Sequence, residues 1–431
     1  MVSLALVLLV SLLASACGST PAATTPATPA PTAQTTAGGA GKLSGTVTFW
    51  STYNITSPEF KTLTEEVIPA FNKQYPGIKI DMQAMPYDKM LSATREAIKS
   101  GHVPDLMRAD IVWVPELVEL GALAKLDEQI PDFASYKDTF YPGPLATNAY
   151  RGHYYGLPLD TNTRVLFYNQ ALFDKAGISA PPKTIAEFLD ACAKLKGLGQ
   201  PKTYCYAERD ANPWSIMPLV WSMGGSITNA DHTKATGYLN SPATVKAVTM
   251  LRDMLNDRTF SPIILDANGD QRDELAAGHT AMILDGPWAV SIFETQFPGF
   301  KYGMATVPAG EGGSSSVVGG EDIVLFERSK NKEAALAFMR YMLSAEAQTT
   351  MGKTGQMSAL KSLASKEFPE YFSIFQKQLE TAQPRTPSPA WDKIADVITK
   401  AVHASLSGKL EPQAALNGAA AEVDQLLANQ E

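Results

Sequence analysis

The sequence predicts an α/β protein built as two domains, and three observations carry that prediction. From Thr46 onward strand and helix patterns alternate, the signature of parallel sheets covered by helices. Short apolar runs bounded by glycine and proline, Ala281-Met282-Ile283-Leu284 and Ile323-Val324-Leu325-Phe326, read as buried strands that end in tight turns. The chain's 431 residues exceed what one hydrophobic core usually organises.

Before the first strand the composition describes a targeting segment. Met1 to Ala16 is an apolar run, shorter than the roughly 20 residues of a membrane span, and it reads as the hydrophobic part of a secretory signal. Leu13-Ala14-Ser15-Ala16-Cys17 matches the end of a bacterial lipoprotein signal, in which Cys17 becomes the lipidated first residue; the plainer reading is a secretory signal that ends near a cysteine. From Gly18 to Gly41 the chain is Thr, Ala, Pro, Gly, Ser and Gln, which cannot bury a core and acts as a disordered tether. The expected layout is a signal over 1–16 and a lipidated, tethered stretch over 17–42, holding a folded domain at a membrane surface.

The elements then follow in order. Thr46 to Trp50 alternates as a first strand, with an exit loop over Ser51 to Ser57. Pro58 opens a helix through Phe71 with Leu63, Val67 and Phe71 on one face. Ile78 to Met82 is a second strand, Pro86-Tyr87-Asp88 starts a helix to about Lys99, and Pro104 to Asp110 is a third strand ending on an acid. Pro115 to Leu120 is a helix stopped by Gly121. Tyr154 to Thr163 is extended and leads into the strand Val165–Asn169, a plausible entry to the second domain. Thr184 caps a helix from Ile185 to Lys196, with Glu187 completing a capping box. Helices follow over Pro242–Leu255, Ala334–Leu343, Phe372–Thr381, Asp392–Leu406 and Gln413–Leu427.

Charge and motif content exclude several functions. A net charge of -8 with no basic block argues against nucleic acid. Three Cys and five His in no zinc spacing leave no metal cluster, and no cofactor is expected. Cys192 and Cys205 either pair as a disulfide outside the cytosol or stay as free thiols. The phosphate-loop, H-E-x-x-H and G-x-S-x-G patterns are absent. Asp266-Ala267-Asn268-Gly269-Asp270 begins like a calcium loop, but Gln271 replaces its turn glycine and Ala277 its closing Glu, so it reads as a solvated connection.

What remains is a set of aromatic and charged residues at strand ends and loops: Trp50, Tyr53, Trp113, Trp214, Trp221, Trp288 and Trp391, with Asp110, Asp160, Glu321, Asp322 and Arg385. Sugars offer hydroxyls at the ring edge and an apolar C–H face. Carboxylates orient the first through charged hydrogen bonds worth about 1.5–3 kcal/mol each, and aromatic faces cover the second. The plain alternative makes these tryptophans core residues and these acids helix caps.

In this order and spacing, Val47-Thr48-Phe49-Trp50, Pro104-Asp105, Gly156-Leu157-Pro158 with Leu166-Phe167-Tyr168-Asn169, Asp285-Gly286-Pro287-Trp288, Gly319-Gly320-Glu321-Asp322, Gln348 and Thr386-Pro387-Ser388-Pro389-Ala390-Trp391 form a pattern. The chain resembles the extracellular solute-binding proteins of sugar ABC importers, family 1, especially those for maltose and trehalose. The resemblance implies a type II fold of two α/β lobes, each a mostly parallel sheet flanked by helices and joined by a multi-strand hinge. It implies crossings near Leu157–Thr161, Gly319–Asp322 and Gly352–Met357. The first lobe is then 43–157 plus 320–352, and the second 158–319 plus 353–431. Position by position it implies stacking by Trp288 and Trp391, acceptance of hydroxyls by Asp110 and Asp160, and donation by Arg385. Tyr53 would line the first lobe, with Glu321, Trp221 and the backbone of Gly286 as additions. The implied partners are an oligosaccharide, with maltose- or trehalose-type α-glucosides first, the permease subunits, and the membrane through the lipid anchor; a monomer is expected. The competing function is a secreted glycoside hydrolase that uses Asp110 and Asp160 as paired carboxylates.

Overall fold

The computed structural model describes residues 43–198, 203–266, 269–363 and 370–429. The signal, the tether, Cys17 and the middle of the Asp266–Asp270 loop lie outside the described residues. Gly41–Glu431 forms one contact unit, within which two sheets each carry their own helices.

The first sheet runs in the order Ile78–Ala84, Gly45–Ser51, Leu106–Asp110, Gly319–Leu325, Gly156–Asn162. Its first three strands are parallel, because each is followed by a helix that returns the chain to the same edge. Ser57 caps the first of these helices, its hydroxyl accepting from the Phe60 amide at 3.3 Å. That helix continues past the expected Phe71 to Gln74 and contains a π turn over Leu63–Val67. It buries Leu63, Val67, Ile68 and Phe71 beside Phe49 and Phe338, whose rings meet edge to face. The last two strands are antiparallel to their neighbours.

The second sheet runs Tyr302–Ala305, Val165–Asn169, Thr280–Asp285, Tyr204–Ala207. Only the pair Tyr204–Ala207 with Thr280–Asp285 is parallel. The α/β class therefore holds, while the pairing inside both sheets is mixed rather than mostly parallel. The antiparallel pairs come from Gly319–Leu325, which returns late in the chain to lie between Leu106–Asp110 and Gly156–Asn162, and from Val165–Asn169, which lies between Tyr302–Ala305 and Thr280–Asp285. Cys192, on the helix Ile185–Lys196, and Cys205, on the strand Tyr204–Ala207, form a disulfide with Cα atoms 5.0 Å apart.

One local reading is corrected. Thr184 does cap its helix, its hydroxyl accepting from the Glu187 amide at 3.1 Å, but Glu187 Oε2 accepts from the Lys183 amide at 2.7 Å, one residue before the cap. Among the helices that were not legible as helices, two bear on the site: Pro213–Ser222 and Trp288–Gln296. The first is apolar on every side and buried from Ser215 to Ser222, so it carries no amphipathic period to read.

The three expected crossings meet. Gly156–Asn162 and Gly319–Leu325 pair side by side, and the Thr161 amide donates to the Met357 carbonyl at 2.8 Å. These segments join the two sheets.

Candidate functional site

The joint carries a row of charges that follows from strand geometry. Alternate residues of a strand share a face, so Arg108 and Asp110 project the same way from Leu106–Asp110. In register, Asp110 faces Glu321 and Glu321 faces Asp160, which sets three carboxylates in line across three neighbouring strands. Such a row repels itself unless cations intervene. Arg108 intervenes on one side: its Nη2 lies 3.2 Å from Asp160 and 2.6 Å from Glu321. The Asp160 contact is an aligned hydrogen bond, whereas Glu321 Oε2 is a close ion pair without that alignment. Nη1 of Arg108 also donates to Thr52 Oγ1 at 2.7 Å, and its guanidinium lies 4.2 Å from the centre of the Tyr53 ring. Burial raises the Glu321 carboxyl well above the ordinary range; Arg108 pulls it down and Asp160 pushes it further up. Burial likewise raises the Tyr53 hydroxyl.

Arg385 intervenes at the other end of the row. Its Nη2 donates to Asp110 Oδ1 at 3.2 Å, and Tyr87 donates its hydroxyl to Asp110 Oδ2 at 2.8 Å. The Tyr87 ring is half exposed although its hydroxyl is turned inward, and it lies against Trp113 with centroids 5.1 Å apart. Arg385 also lies over the Trp214 ring, 5.3 Å from its centre, and its buried Nε finds no hydrogen-bond partner among the described residues.

The aromatic side of the site is a pair. Trp214 and Trp288 stack with centroids 6.3 Å apart and planes 26° from parallel. Each ring lies over a glycine that has to be one. A Cβ on Gly286 would sit 2.3 Å from the Trp288 ring, and one on Gly319 would sit 2.6 Å from the Trp214 ring. The turn Asp285-Gly286-Pro287 thus opens a helix whose first residue, Trp288, folds back over its own approach.

The structure therefore brings together Tyr53, Asp160 and Glu321 around Arg108, and Asp110, Arg385, Gly286 and Trp288 around Trp214. Trp221 and Trp391 are placed differently. Trp221, two turns beyond Trp214, is 4% exposed and Trp391 is 5% exposed, and both pack into the largest apolar cluster. Trp221 lies on the stretch Ser215–Ser222 of its helix, which is buried throughout, whereas Trp214 in the first turn is not. Gln348 braces the joint, its amide donating to the Leu159 and Met342 carbonyls at 2.9 Å each. Asp322 is fully buried in the same strand; Asn148 donates to it at 2.8 Å, and burial raises its carboxyl well above the usual range.

Arg108, Tyr87 and the pairing role of Trp214 escaped the sequence reading. Arg108 did leave a signal: an arginine inside the run Leu106-Met107-Arg108-Ala109 is a charge headed for the interior, which requires acids. Tyr87 left none, since its reach to Asp110 depends on how a helix sits on a strand. Among the described residues no group of three His, Cys, Asp or Glu is placed to hold a metal, and no helix is long and apolar enough to cross a membrane.

The family model for bacterial extracellular solute-binding proteins matches residues 54–349, more than half of the chain. The chain belongs to this family. Among similar solute-binding proteins, a putative binding protein of Brucella abortus is 30% identical over 401 residues, covering 90% of this chain and 94% of its own. The arabinooligosaccharide-binding protein of Bacillus subtilis is 27% identical over 315 residues, covering 70% of this chain and 69% of its own. The GacH receptor of Streptomyces glaucescens, solved unliganded and with acarbose, superposes with a TM-score of 0.78 at 25% identity, covering 90% of this chain and all (100%) of that one. The resemblance read from the sequence and the two-lobed fold it implied are borne out. Membership also carries an extracellular setting.

Proposed function

We propose that this solute-binding protein is the carbohydrate receptor of an ABC importer, taking an oligosaccharide between its two lobes and delivering it to the permease. The observation that carries this reading is the Trp214–Trp288 pair beside Arg385 and Asp110, at the joint of the two sheets. The rings offer π faces to the C–H side of a sugar, and the guanidinium and carboxylate offer donors and acceptors to its hydroxyls. Tyr53 and Tyr87 would complete the first lobe's wall. The lobes are taken as 43–157 plus 320–352 and 158–319 plus 353–431, so that the charged row lies on the hinge strands. A ligand that touches both lobes favours the closed state by its differential affinity, which is the whole of the mechanism. No bond changes. The similar receptors named for an arabinooligosaccharide and solved with acarbose support a carbohydrate as the class. Maltose- and trehalose-type α-glucosides are the first to try.

A hydrolase would need one free acid to protonate a leaving group and a second to attack. Here Asp110 is held by Tyr87 and Arg385, and Asp160 by Arg108, which disfavours that use. One experiment tests both readings: a thermal-shift screen over di- and trisaccharides, followed by recovery of the sugar. A saturable shift with intact sugar supports the receptor, release of monosaccharide supports a hydrolase, and no shift with any saccharide sinks the carbohydrate reading.

The lipid anchor is proposed on Cys17. Cys17→Ala should move the protein from the membrane fraction to the medium; a variant that stays with membranes disproves the anchor.

A further inference from the structure

Arg164, between the strands Gly156–Asn162 and Val165–Asn169, has a side chain only 1% exposed and ion-pairs with Glu208 at 2.9 Å. Its Nη1 donates to the carbonyls of Trp214 at 3.1 Å and Ser215 at 3.2 Å. Its Nη2 donates to the Leu284 carbonyl as well as to Glu208 Oε2. The other oxygen of Glu208 accepts from the Tyr206 hydroxyl at 2.6 Å, which holds the carboxylate in place.

These acceptors belong to the two elements that carry the ring pair. Trp214 and Ser215 form the first turn of Pro213–Ser222, and Leu284 lies four residues before Trp288 at the end of Thr280–Asp285. The Trp214 carbonyl needs an outside donor for a reason written in the sequence. Residue 218, whose amide would normally bond it, is proline and has no N–H. Left alone, that partly buried carbonyl would lack its helical partner. Arg164 supplies the missing donor and ties the same guanidinium to the strand that leads to Trp288.

We propose that Arg164 is a positioning residue for ligand recognition: it sets the spacing of the Trp214–Trp288 pair, and with it the width of the aromatic wall. The inference rests on the reading of that pair as ligand-facing. Arginine suits the task because its rigid fork spans acceptors on separate elements, whereas lysine presents one nitrogen that cannot reach them all.

The test uses the full-length, ligand-free protein. A stacked tryptophan pair gives an exciton couplet in circular dichroism, identified here by its loss in Trp214→Phe. Arg164→Lys keeps a cation opposite Glu208 and should lose more than half of the couplet while still melting cooperatively. Glu208→Gln leaves the three carbonyl bonds in place and should keep the couplet even where its Tm falls. A native couplet in Arg164→Lys overturns the proposal, and so does an equal loss in Glu208→Gln, because the ion pair would then act only as core stability. A wild-type spectrum that Trp214→Phe leaves unchanged overturns it too. If Arg164→Lys does not fold, the uncharged pair Arg164→Met/Glu208→Met replaces it, with the same loss expected and a native couplet again overturning the proposal. The ligand reading fails separately, on Trp288→Ala in the saccharide screen.

Discussion

Asp110, Glu321 and Asp160 stand in one row across three strands, and two arginines from distant parts of the chain keep that row together. Arg108 is committed to Thr52, Tyr53, Asp160, Glu321 and Gln356, while Arg385, over the Trp214 ring, keeps a buried Nε without a partner among the described residues. This division argues that Arg108 holds structure and Arg385 meets ligand. Trp288→Ala should weaken saccharide binding about tenfold, about 1.4 kcal/mol, near the upper end of what an aromatic contact supplies. Titration calorimetry checks it, and an unchanged isotherm removes Trp288 from the site. Glu208 gives a second prediction at this scale. Burial raises its carboxyl from 4.5 to about 7 in the folded chain, against the pull of Arg164. The folded state therefore binds more protons than the unfolded one between those values, so the contribution of Glu208 is full below about 4.5 and is lost as pH rises through about 7. Denaturant melts of wild type and Glu208→Gln from pH 5 to 8 should show wild type losing stability relative to the variant as pH rises. A parallel pair of curves would refute the assignment.

Among the elements, the strand Gly319–Leu325 does the most. It pairs with strands on both sides, carries Glu321 and Asp322, and passes under the Trp214 ring at Gly319. Its second residue, Gly320, has φ of +132°, and a Cβ there would sit 2.4 Å from the Asp160 carbonyl. Gly320→Ala should therefore destabilise the protein by about 1–3 kcal/mol through backbone strain and push Asp160 off Arg108. Urea unfolding measures the first effect; a midpoint equal to wild type would show that the strand yields freely. If the rings bind ligand as proposed, the contact of Gly319 with the Trp214 ring would give binding a direct mechanical route to the strands that join the two sheets.

For the whole molecule, Arg385 to Asp110 and Arg95 to Asp392 connect the first sheet and its helices to the segment 385–392. The second of these is partly exposed and worth little by itself. The first is nearly buried and lies beside the rings. A sugar at a hundred times its Kd should stabilise the fold by about 2.7 kcal/mol. The same addition should shrink the radius of gyration in small-angle scattering if closure accompanies binding. A thermal shift without compaction would mean that the lobes are already closed without ligand.

By itself the sequence determined most of the elements and the family. Alternating apolar patterns, Pro and Gly punctuation and the spaced motifs from Val47 to Trp391 are local signals, and locally they place most strands and several helices. It also brought Asp110, Asp160, Glu321, Arg385 and Trp288 forward as candidates, because polar and aromatic residues at strand ends are conspicuous. Only the tertiary structure decided which charge meets which. Arg108 sits inside an apolar stretch and Arg164 at the edge of one, their partners lie tens to hundreds of residues away, and no local period encodes a register between strands so far apart. The same holds for Trp221 and Trp214: they share one helix, and only packing shows that one is core and the other half of a stacked pair.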